Sequence, residues 1–119
     1  MNPETLKQRT KEFALRVIRM SRTLPKTAEA KVITNQLLRS ATSTAANYRA
    51  CCLSRSRAEF VSKIGVVLEE ADESLFWIEL LIDAEVIPPK RLEALRIEAS
   101  ELVAIFAASR LTAAQPHRK

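Results

Sequence analysis

Glycine is almost missing from this chain: Gly65 stands alone among 119 residues, and aromatic residues make up only 5%. All-β chains need Gly-rich turns and aromatic strands, so this composition argues against that class. No stretch of about 18 apolar residues occurs, so a membrane span is not expected. The start, MNPETLKQRTKEF, is charged and unlike a signal peptide, which leads to the expectation of a cytoplasmic protein without membrane contact. Histidine occurs once, as His117 in the terminal TAAQPHRK. A di-iron bundle needs Glu-x-x-His pairs on facing helices, so that chemistry is not expected here. There is no Gly-rich phosphate loop, nucleophile elbow or zinc-ligand spacing, and no catalytic residue, metal ligand or cofactor is assigned. The two cysteines, Cys51 and Cys52, are adjacent. That is poor geometry for a structural disulfide, and in a reducing compartment both read as small packing residues.

What the chain does contain is Ala, Leu, Glu, Arg and Lys, a helical composition in a length suited to one domain. The net charge of +5 is unevenly spread. Residues 1–63 carry +9, residues 64–101 carry −7, and the remainder adds +3. Such asymmetry points to an anionic partner for the basic half, or to oppositely charged surfaces meeting within an assembly.

Apolar periodicity predicts four helices, at about residues 3–24, 28–53, 57–84 and 89–111, with a frayed tail over 113–119. The first has Leu6, Phe13, Val17 and Leu24 on one side and Lys7, Arg9, Lys11, Arg16, Arg19 and Arg22 outside, and Pro25 stops it. Thr27 is the expected cap of the second and Ser56, with Glu59, that of the third. VIPP at 86–89 ends the third, and Pro89 opens the fourth. Short connections between four amphipathic helices imply an all-α, up-down-up-down antiparallel four-helix bundle.

The second helix must then carry SATSTAANYRACC, residues 40–52, which is unusually small and hydroxylated. In an antiparallel hairpin turning near residue 56, facing positions on helices two and three have numbers that sum to roughly 112. Arg39 then meets Glu73, Ser43 meets Glu69, and Asn47 meets Gly65. A mid-helix glycine costs about 1 kcal/mol relative to Ala, so a close approach of the small residues of helix two to Gly65 is expected, and Gly65→Leu should disrupt the pair. Glu69 and Glu73 are a like-charge i, i+4 pair that Arg39, Arg49 or the hydroxyls would answer, with a solvated acidic face as the plainer alternative. Arg39, Ser40, Ser43, Asn47, Tyr48, Arg49, Gly65, Glu69 and Glu73 are therefore candidate helix or subunit contacts. Arg9, Arg16, Arg19 and Arg22, together with Arg55, Arg57 and Lys63 around the hairpin, are the candidate nucleic-acid ligands, with solvated helix faces as the plainer alternative. Few aromatics are available to stack bases, so binding should be phosphate-led and weakly sequence-selective.

The stretches NQLLRSATS, ANYRAC, FVSKIGVVLEEADES and FWIELL, within residues 35–81, and LPKT at 24–27 together resemble the four-helix 23S rRNA intervening-sequence proteins. That family is similar to the accessory variability protein of diversity-generating retroelements, a basic bundle that forms a ring of five and associates with nucleic acid and a reverse transcriptase. The resemblance implies a homopentamer whose subunit contacts use the matched motif, a role tied to structured RNA or DNA, and no enzymatic activity. A protein-interaction adaptor, for instance one serving a reverse transcriptase-like partner, is the alternative, since the −7 segment suits a basic protein better than a polyanion.

Overall fold

The computed structural model describes residues 1–115 and contains four α-helices: α1 (Pro3–Ser21), α2 (Ala28–Cys51), α3 (Arg57–Asp83) and α4 (Glu93–Ala114). No strand occurs among the described residues. Each helix packs on its neighbour in chain order and α1 returns to α4, which closes an antiparallel bundle measuring 55 × 22 × 20 Å. No described helix is long and apolar enough to cross a membrane. His117 and the rest of residues 116–119 lie outside the described part.

Local chemistry sets the boundaries. Asn2 accepts from the Thr5 N–H at 2.8 Å, Thr27 from Ala30 and Ser56 from Glu59, so three helices begin on side-chain caps. The first helix stops at Ser21, short of the expected residue 24. Ser21 and Thr23 bond the carbonyls of Ile18 and Met20 at 2.6 and 2.7 Å, and these local bonds satisfy the C-terminus ahead of Pro25. At the end of α3, Val86 N–H reaches the Leu81 carbonyl and Glu85 N–H reaches Ile82. This is a Schellman motif in which Glu85, at φ 55°, holds the left-handed position usually given to glycine. Pro89 starts only a single 3-10 turn, Pro89–Arg91, and α4 begins at Glu93 because Leu92 turns inward and is fully buried. The last helix continues to Ala114, beyond the expected point of fraying.

The core is one continuous apolar column. Phe13 and Val17 of α1, Leu37 and Ala41 of α2, Ile64, Val67, Ile78 and Leu81 of α3, and Leu102 and Phe106 of α4 are essentially inaccessible. Tyr48 is part of that core: its ring lies 5.4 Å from Phe106, and burial pushes its phenol pKa upward. Its role is thus to join α2 to α4 inside the protomer.

Candidate nucleic-acid interface

The hydroxyl-rich run lies on α2 as continuous helix, and its members divide by direction. Ser40 and Thr44 are buried, and Ser40 Oγ sits 2.9 Å from Ser74 Oγ of α3. Thr44 Oγ1 donates to the Ser40 carbonyl at 2.8 Å. Small hydroxyls fill this space because each can return a bond to its own helix while the two backbones stay close. Asn47 follows the same logic, donating to the Ser43 carbonyl and hydroxyl at 2.9 and 2.8 Å.

Arg39 pairs with both Glu70 and Glu73, and Glu73 also accepts the Trp77 indole N–H at 3.0 Å. The indole bond and then Arg39 hold the Glu73 carboxyl below its ordinary range. Phe76 packs edge-on against Trp77 yet remains 50% exposed, so only one ring of the pair is an inward anchor. Glu69 is exposed. Arg49 does not answer the acidic cluster, because it lies on the opposite side of α2 facing α1.

Gly65 also differs from expectation. An added Cβ would first meet the Arg110 guanidinium of α4, 3.4 Å from Nε, and no α2 atom is among its nearest neighbours. The lone glycine is half-buried under a flexible side chain, and no backbone approach by α2 requires it. The reason the hairpin rule misplaces it is rotational. Residues level along two helices need not face one another, and Gly65 points around α3 toward α4.

The candidate phosphate ligands separate into paired and unpaired cations. Arg9 is tied to α4: Nε and Nη2 contact Glu98 at 2.8 Å and Nη2 contacts Glu101 at 2.6 Å. These carboxylates raise its pKa still further, so it is a charged structural clamp. Arg19 pairs with Glu12 and Lys63 with Glu59. Arg57 Nε donates to the Ala113 carbonyl. Arg16 is half-buried, while Arg22 and Arg55 are exposed; none of these three has an ion-pair partner among the described residues.

Two surface grooves collect further cations. One, of about 470 Å³, lies between α1 and α2 and is lined by Lys7, Lys11 and Arg49 around a floor of Ala14, Ala45 and Ala46. Another, of about 300 Å³, lies where α1 passes into α2 and is lined by Arg22, Lys26 and Lys31 together with Asn35. Thr34 also lines this second groove, and its Oγ1 is buried with no hydrogen-bond partner. Lys11, Lys26 and Lys31 were not among the expected ligands. The signal that could have found Lys31 is the helical stripe 31, 35, 38, 42, 45, 49, which puts Lys31 and Arg49 on one face of α2. No cluster of three or more potential metal ligands exists among the described residues.

The sequence matches the 23S rRNA-intervening sequence protein family over residues 5–108. A similar solved structure is a protein of unknown function from the S23 ribosomal protein family of Bacteroides thetaiotaomicron. It is 32% identical, covers 93% of this chain and 99% of its own, and superposes with a TM-score of 0.81. No curated protein matches.

Proposed function

Since the chain belongs to the 23S rRNA-intervening sequence protein family, we propose that it is a non-catalytic, oligomeric bundle that associates with structured RNA or other nucleic acid through its basic surface. The observation that carries this reading is the division of charge. The +9 of residues 1–63 resides on α1, α2, the connections that flank α2 and the start of α3, and much of it has no carboxylate partner among the described residues. Unpaired surface cations release counterions when they meet a polyanion, which makes binding strong at low salt and weak at high salt. A ring of five copies, as the sequence resemblance implies, would repeat the patch and multiply weak contacts by avidity.

Titrating the protein against a labelled RNA hairpin at two salt concentrations tests this. Binding at low salt that weakens steeply at high salt is expected, and no binding at low salt rejects the reading. Solution mass measured with and without nuclease reports assembly and bound nucleic acid together.

A second reading, an adaptor for a basic protein such as a reverse transcriptase-like partner, is favoured by the outer face of α3. Glu69, Asp72, Glu79 and Asp83 are exposed there around the half-exposed Phe76. Association with such a partner that survives nuclease treatment would favour this alternative.

A further inference from the structure

The two cationic grooves belong to one line. On α1, residues 4, 8, 11, 15 and 18 share a face that the cap residue Arg22 continues, and on α2 residues 49, 45, 42, 38, 35 and 31 share the face beside it, running the opposite way. The larger groove occupies one end of this seam and the smaller groove the other. Between them lie the half-buried apolar side chains Leu15 and Ile18, and the half-buried Leu38 lines the smaller groove. From Lys31 to Arg49 the seam is about 27 Å long at 1.5 Å per residue. Lys7, Lys11 and Arg49 sit at one end, and Arg22, Lys26 and Lys31 at the other. Glu4, the one carboxylate lining either groove, is held by Lys7 at 2.9 Å.

We infer that this α1–α2 seam is a track for the sugar-phosphate backbone of one nucleic-acid strand, gripped at both ends and read without base contacts. The inference rests on the nucleic-acid reading above and assigns it to particular residues. None of the lining residues is aromatic, so bases have no stacking platform. The central strip is apolar and offers nothing to a base edge. Charge is therefore the main recognition element, and it is concentrated where the candidate ligands Arg9, Arg19 and Lys63, already engaged by Glu98, Glu12 and Glu59, are not. Thr34, in the wall of the smaller groove, has a hydroxyl that still lacks an acceptor.

The test compares two triple variants of the intact chain, each leaving a net charge of +2. One removes seam cations (Lys11→Gln, Lys31→Gln, Arg49→Gln) and the other removes cations elsewhere (Lys90→Gln, Arg91→Gln, Arg110→Gln). All six positions are exposed, so both variants should fold, which circular dichroism would verify. The probe is a labelled RNA hairpin titrated across a range of salt. With the seam variant, the slope of log affinity against log salt should become shallower by about two to three units, with an affinity loss of about a hundredfold at low salt. The control variant should change the slope by less than one unit. Equal losses in the two variants would mean diffuse charge and overturn the seam. A change in solution mass with unaltered RNA affinity would show that the acidic face of a second copy occupies it instead, which also overturns it. If the unaltered protein fails to bind, the general reading fails and the seam with it. Single strands of RNA and DNA in several sequences complete the set. Affinities that agree within tenfold support backbone recognition, and a larger preference among sequences refutes it.

Discussion

Replacing Arg9 by Gln should destabilise the bundle by about 2 kcal/mol, a figure set by how the guanidinium is enclosed. Its two bonds to Glu98 are 2.8 Å long, with side chains only 21% and 16% exposed, whereas Glu101 is 56% exposed. Hydrogen bonds to charged groups contribute about 1.5–3 kcal/mol when shielded, and exposed ion pairs about 0.2–1 kcal/mol, so the Glu98 contact dominates. Removing the cation leaves Glu98 half-buried without a counter-charge, a loss larger than that of the bonds alone. For a chain of this size about 4 °C of melting temperature corresponds to each kcal/mol, so the midpoint should fall by roughly 8 °C. Thermal melts of Arg9→Gln, Glu98→Gln and the double variant form a cycle, and a coupling energy of about 1–2 kcal/mol is expected. RNA affinity measured below the melting range should be unchanged. A variant that melts with its parent while losing RNA affinity would refute the argument, because it would make Arg9 a phosphate ligand whose ion pair contributes nothing to the fold.

Gly65→Ala should stabilise the protein by about 0.5–1 kcal/mol, since helix propensity improves and the new methyl meets only the movable Arg110 guanidinium. Urea unfolding checks this, and a lower midpoint would mean that the site is tighter than it looks. Glu73 connects pH to stability. Its carboxylate is favoured in the folded state by Trp77 and Arg39, so its folded pKa lies below the ordinary 4.5. The stabilisation is complete above that ordinary value and is lost as the pH falls through the folded one. The stability difference between the parent and Glu73→Gln should therefore be constant near neutrality and shrink below about pH 4.5; a difference independent of pH would exclude the linkage.

Most of the architecture was legible in the sequence. The stripes of Leu6, Phe13 and Val17 on α1 and of Ile64, Val67, Ala71 and Ile78 on α3 all recur as buried positions. The caps at Thr27 and Ser56 act as read, because both the apolar period and the cap are properties of a short stretch of chain. Boundaries were less legible: the hydroxyls of Ser21 and Thr23 compete locally for α1's last carbonyls, and Glu85 adopts a glycine-like conformation that composition does not signal. The candidate site was legible only in part. Its overall charge and its lack of base-stacking rings are in the composition, whereas the choice among cations is not.

Sequence alone thus determined that four amphipathic helices pack antiparallel and that the first half of the chain is basic, since periodicity and charge need no knowledge of distant neighbours. Only the tertiary structure decided that Arg9 belongs to Glu98, that Gly65 lies under Arg110, and that Lys11, Lys31 and Arg49 line grooves along the same two helices. The physical reason is that a cation's role depends on the carboxylate nearest to it. That neighbour is set by the rotation of each helix about its axis, which residue numbers along a hairpin do not specify.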